Sequence, residues 1–71
     1  MCLAEVYLTD RQHTGTGELV LADVAHIECE QDELLVSTML GETKVVRGEI
    51  LSVDFINSTV TLRPREGAKN A

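Results

Sequence analysis

The stretch LLVSTMLGETKVVRGEILSVDFINSTVTLR, residues 34–63, decides the fold. Leu34 to Met39 reads as a strand, Leu40-Gly41 as a tight turn, and Thr43 to Arg47 as the returning strand of a hairpin. Gly48 then marks a bulge or a sharp bend. From Glu49 to Ile56 the side chains alternate, Leu51, Val53 and Phe55 going one way and Ser52 and Asp54 the other. Asn57-Ser58 makes a turn, and Thr59 to Arg63 alternates again with Val60 and Leu62 inward. Pro64 has no backbone donor and is expected to end the pairing.

The same period of two runs through the first half. Met1 to Leu8 puts Cys2, Ala4, Val6 and Leu8 on one face, opposite Leu3, Glu5 and Tyr7. Thr9 to Gly17 is polar with two glycines, so it reads as a long hairpin loop. Leu19 to Leu21 resumes a strand, and Val24 to Cys29 forms another before a turn at Glu30 to Glu33. The Glu-rich segment Asp23 to Glu33 offers a helix as the alternative, but its apolar residues do not sustain a period of 3.6. Val, Ile and Thr supply eighteen residues, which favours sheet over helix. These readings predict an all-β fold: a small antiparallel, barrel-like (SH3-like) meander of six to seven short strands, one domain over residues 1–71 with 65–71 as a frayed tail.

The chain has 71 residues, 44% of them apolar and 25% charged, the composition of a folded domain. At that length about 60% of the unfolded surface is buried, and the core is marginal. Some further constraint is required. Two cysteines are too few for a disulfide scaffold, and no apolar run exceeds four residues, short of a membrane span or signal-peptide core. A cytoplasmic protein is expected. Residues 1–43 carry nine carboxylates and one arginine, while residues 44–71 carry five basic and three acidic groups, for a whole-chain charge of −6. Such a chain repels polyanions at long range, so nucleic-acid binding is a poor expectation, resting only on a local patch of Lys44, Arg47, Arg63 and Arg65.

Motifs for catalysis are absent. There is no phosphate loop, CxxC pair or HExxH, Gly15-Thr16-Gly17 is loop punctuation, and the carboxylates of Glu28 to Glu33 read as solvated charge. No enzyme is expected. Cys2 is different, because a thiolate beside the chain terminus has an amine and backbone nitrogens within chelating reach, the ligand set of square-planar Ni(II) or Cu(II). The plainer alternative makes Cys2 a small hydrophobe opening the first strand. Cys29 shares a face with Ile27 and is expected to be buried; His13 on the loop is expected to be exposed, with completion of a metal site as its alternative, and His26, on a strand face with Glu28, exposed or in an interface, with a ligand role as its alternative.

The opening Met1-Cys2-Leu3-Ala4-Glu5-Val6-Tyr7-Leu8 resembles the MCxAxVxL start of the CooT family, small proteins linked to nickel delivery for carbon monoxide dehydrogenase maturation. Asp23-Val24-Ala25-His26-Ile27-Glu28-Cys29-Glu30 is similar to that family's DVxxIExE stretch. Leu40 to Ile50 and Val53-Asp54-Phe55 follow its GE turn, its glycine after the strand and its apolar-Asp-Phe strand. The resemblance implies a barrel-like homodimer that holds a single Ni(II) through Cys2 of each chain, with carbon monoxide dehydrogenase or its maturation proteins as partner. Sequences of this kind have also been described as RNA-binding, which the acidic balance opposes. A metal-free interaction module is a further reading, and Cys29 and the loop bearing His13 stand outside the family pattern.

Overall fold

A computed structural model describes residues 3–9 and 17–65. The loop bearing His13, the terminal Cys2 and the tail beyond residue 65 lie outside the described residues. Among the described residues six strands form one sheet: β1 (Ala4–Leu8), β2 (Glu18–Cys29), β3 (Leu34–Thr38), β4 (Thr43–Val46), β5 (Gly48–Asp54) and β6 (Thr59–Pro64). Their order across the sheet is β4-β3-β2-β1-β6-β5. The described residues are all strand and turn, as the alternation predicts, and the helix alternative over Asp23 to Glu33 is not adopted.

One pairing departs from a pure antiparallel meander. β1 runs parallel to β6, from Glu5 opposite Thr59 to Leu8 opposite Leu62, and the other four pairs are antiparallel. The sheet is therefore mixed. Local alternation cannot foresee this, because it fixes which face a residue occupies and not which distant strand lies beside it.

The order also dictates a curl. β4 and β5 stand at opposite edges of the sheet, yet only Arg47 separates them in the chain. Six flat strands would place those edges about 24 Å apart at the usual strand spacing, whereas a single linking residue spans about 7 Å. The edges must come together at that end. The Arg65 amide donates to the Arg47 carbonyl at 3.2 Å, which ties the end of β6 to the link. Gly48 is buried there, and a Cβ on it would lie 2.4 Å from the Arg63 carbonyl oxygen, so only glycine fits. The bend predicted at Gly48 is present, and the bulge in β5 lies between Ile50 and Ser52.

β2 is one strand of twelve residues rather than the two predicted. Its first part pairs with β1 and its last part with β3, and Val24 is matched to both Ala4 and Thr38. The change of partner needs a bend. Asp23 supplies it in a left-handed conformation, φ 59°, which Asp tolerates better than most side chains. Pro64 likewise remains in the sheet, opposite Gly48. The Leu62 carbonyl faces β1, where it accepts from Thr9 at 2.9 Å, so by alternation the Pro64 nitrogen also points to the β1 side. β1 has already ended there, and a missing donor costs nothing.

The core is made of Val6, Val24, Leu34, Val36, Val46, Val60 and Leu62, with Ala4, Leu8, Val20, Leu21 and Ile27 packed against it. Val6, Val36 and Leu62 are fully buried, and Val60 and Leu62 of β6 face inward as expected. At about 1.5–3 kcal/mol per buried aliphatic side chain this core is small. Phe55 is 87% exposed and contributes nothing to it.

Candidate functional site

Three features meet around Leu3: the start of β1, the β3–β4 turn and the β5–β6 turn. Thr38 of β3 pairs with Val24, Val24 with Ala4, Glu5 with Thr59, and Thr59 with Asp54 of β5, so these residues form a row across five strands. Past this row the start of β1 and the β5–β6 turn continue on one side, whereas the β3–β4 turn continues on the other, where the Met39 amide donates to the Asp23 carbonyl at 3.4 Å beside the bend in β2. Leu3, next to Cys2 in the chain, stands between the two turns. It lines one shallow hollow with Asp23, Met39, Leu40 and Glu42, and a second, more apolar one with Val53, Phe55 and Val60.

Both turns have polar frameworks that push apolar side chains outward. In the β3–β4 turn the Gly41 amide donates to the Thr38 carbonyl at 3.1 Å and the Glu42 amide to Thr38 Oγ1 at 3.1 Å, with Gly41 at φ 97°. Leu40 is left 97% exposed at the tip. In the β5–β6 turn Asp54 Oδ1 accepts from the amides of Ile56 at 3.0 Å and Asn57 at 3.1 Å, and Oδ2 accepts from Asn57 Nδ2 at 2.8 Å. These bonds, that from the Asn57 side chain foremost, hold the Asp54 carboxyl below its ordinary pKa. Phe55 and Ile56 are carried to the surface by that turn, Ile56 being 93% exposed.

The opposite end has a different character. The Arg63 guanidinium bonds Glu49 Oε2, through Nε at 2.9 Å and also through Nη2. Arg65 reaches Glu49 Oε1 at 3.4 Å and Asp32 Oδ1 at 3.3 Å, and Arg47 approaches Glu33 Oε2 at 3.7 Å. Carboxylates thus interleave with three members of the basic patch that the sequence suggested. Lys44 lies exposed on β4.

The remaining candidate ligands are kept apart from the start of β1. His26 is exposed as expected and sits 4.0 Å from Glu28. Cys29 is exposed as a free thiol, which corrects the expectation that it is buried with Ile27. Its strand runs past β1, whose pairing stops at Val24, so Cys29 ends beyond the cover that a central strand would have. Five residues of strand separate it from Val24, about 17 Å. Among the described residues no three His, Cys, Asp or Glu side chains are grouped to hold a metal ion. Cys2 and His13 lie outside the described residues.

Sequence reading treated Leu40 as part of a turn and Phe55 as a strand residue, and missed both as surface features. The available signal was apolar residues inside turns, where Gly, Asn, Asp and Ser are the usual occupants.

Comparison with known proteins adds the family. The family model described as CO dehydrogenase accessory protein CooT matches residues 1–63. Among solved structures, one assigned as a CooT from Carboxydothermus hydrogenoformans superposes with a TM-score of 0.78 at 20% sequence identity, covering 92% of this chain and 100% of that one. Similarity at that level establishes a shared fold. No curated protein matches the chain.

Proposed function

Since the chain belongs to the CooT family of carbon monoxide dehydrogenase accessory proteins, we propose that it is a metallochaperone carrying Ni(II) for maturation of that enzyme, the ion being held at a homodimer interface by Cys2 of both chains. Nickel is then cargo, and the protein acts as a carrier rather than a catalyst. The observation that supports this most directly is the position of Leu3, the neighbour of Cys2, between two turns with Leu40 and Phe55 exposed. A second chain covering that end would bury apolar surface and bring a second sulfur to the first.

Two thiolates with two nitrogens from the chain termini make the donor set that Ni(II) takes in a square plane. Each donor must lose its proton to bind, so nickel affinity rises with pH. Release requires the ligands to open, and a site at the chain end opens by local fraying rather than by unfolding of the sheet. The carboxylates of the first 43 residues give that half a negative field that attracts divalent cations, screened within about 8 Å at physiological salt.

Arg47, Arg63 and Arg65 are engaged by carboxylates, which weighs against nucleic-acid binding. No helix among the described residues is long and apolar enough to cross a membrane; a cytoplasmic location is part of this proposal. A metal-free interaction module is the second reading, favoured by the same apolar turns.

Titration with Ni(II) tests the choice. A thiolate-to-nickel absorption band that saturates at one ion per two chains and disappears in Cys2→Ser is the expected result. A chain whose spectrum is unchanged by nickel is not a nickel carrier.

A further inference from the structure

We infer that the outer edge of β4 is a docking site for an extended segment of a partner protein, one that sets a carboxylate opposite Lys44 and an apolar side chain two residues away. This edge adjoins Leu8, at the far end of β1 from Leu3, so the inference stands whether or not the chain carries nickel.

The main chain comes first. β4 is the last strand on its side of the sheet, and among the described residues no strand pairs with its outer edge. The Thr38 amide donates to the Glu42 carbonyl at 2.8 Å, and the ladder continues from there with Lys44 opposite Val36 and Val46 opposite Leu34. Bonded and non-bonded positions alternate along an antiparallel pair, so Lys44 and Val46 bond towards β3. Thr43 and Val45 therefore turn their N–H and C=O groups outward. That row of main-chain groups is a template for strand addition.

A hollow lies along the same strand. Its volume is about 430 Å³, and its apolar lining comes from Leu8 at the end of β1, Leu19 and Val20 at the start of β2, and Val45 and Val46 of β4. Leu19 and Val45 are 52% and 57% exposed, so apolar surface there is open to solvent. Side chains alternate in direction along a strand, which puts Lys44 and Val46 on one face. A segment laid along β4 sets one side chain opposite Lys44 and the next on that face opposite Val46, at the hollow.

Charge selects the occupant. Lys44, Glu18 and Arg47 also line the hollow; the last two cancel, and Lys44 is left as its net charge. Arg47, Arg63 and Arg65 each reach a carboxylate, whereas Lys44 alone among the described basic residues makes no ion pair. A second copy of this chain is disfavoured at this edge, because two β4 strands paired antiparallel about Lys44 set like charges opposite each other. A segment bearing a carboxylate turns that repulsion into attraction. The chain's net charge of −6 opposes such a segment at a distance but is screened beyond about 8 Å at physiological salt.

The test adds a blocked peptide to the full chain without metal and follows amide NMR. The peptide has a central glutamate, a valine two places to either side and threonine elsewhere, so it can add to β4 in either direction. The expected result is a set of shifts centred on Thr43, Lys44 and Val45, with slowed exchange of the Thr43 and Val45 amides. A peptide with lysine at its centre binds about tenfold more weakly, and Lys44→Glu reverses the order of the two peptides. N-methylation of the threonines beside the glutamate abolishes binding, since their amides face β4, while N-methylation of the glutamate leaves it in place. Absence of binding, shifts centred away from β4, equal binding of the two peptides by the unsubstituted chain, or an order that Lys44→Glu does not reverse overturns the inference. Should Lys44→Glu not fold, the two peptides on the unsubstituted chain decide.

Discussion

Where β4 meets β5, a buried glycine and interleaved Arg and carboxylate side chains draw the sheet edges together, whereas at the start of β1 hydrogen-bonded turns hold Leu40, Phe55 and Ile56 out in solvent. Both ends carry short connections between strands. They differ in what the chain connection demands. A one-residue link between opposite edges forces the first end to close, and leaves the second end free to present side chains that the small valine core has no room for. Closure serves the fold, and the open end presents apolar side chains to solvent.

That contrast is most exposed to failure at Gly48. Gly48→Ala places a methyl 2.4 Å from the Arg63 carbonyl, and a loss of about 3 kcal/mol in urea unfolding is expected, the upper part of the range for overpacking. A variant as stable as the parent would show that closure at Arg47 is dispensable. A smaller loss, about 1–2 kcal/mol, is expected for Asp23→Val, because a β-branched residue is forced into the left-handed region at φ 59°; Asp23→Gly should be tolerated in the same assay.

The pH response sharpens the comparison at the open end. Asp54 has its folded pKa lowered by the bonds from Asn57 and Ile56. The stabilisation it gives is therefore present above the unfolded value, about 3.9, and is lost as pH falls through that value and the lower folded one. Acid should release the β5–β6 turn before the ends of β6, seen as loss of hydrogen-exchange protection at Ile56 and Asn57 while Leu62 stays protected. The smallest effect is expected from Leu40→Ser and Phe55→Ser, each within about 0.5 kcal/mol of the parent when measured on dilute monomer. A larger loss there would mean that these side chains support the fold after all.

Much of the sheet was legible because alternation reports burial directly. Val6, Val36, Val60 and Leu62 occupy inward positions of clear period-two segments and are buried, and the turns at Glu30 to Glu33 and Leu40-Gly41 fall where breaker residues or clustered charges lie. Asp23 misled, since an Asp amid apolar residues reads as a strand boundary, yet it bends one continuous strand. Cys29 misled for a related reason: its face is apolar in sequence, but burial there depends on how far β1 extends alongside. Of the candidate site, Cys2 was picked out by its position beside the terminus and lies outside the described residues. The two apolar turns around Leu3 were invisible until the folded sheet brought both beside it.

The sequence by itself determined the all-β class, the inward residues and the acidic character, since each is a property of neighbours along the chain. It also carried the family likeness, through the order of short motifs over most of its length. Only the tertiary structure decided the parallel pairing of β1 with β6, the closure at Arg47 and the gathering of the start of β1 with both apolar turns. Those depend on which distant strands lie side by side, and the energy that selects among such pairings is spread over the whole sheet rather than written at any one residue.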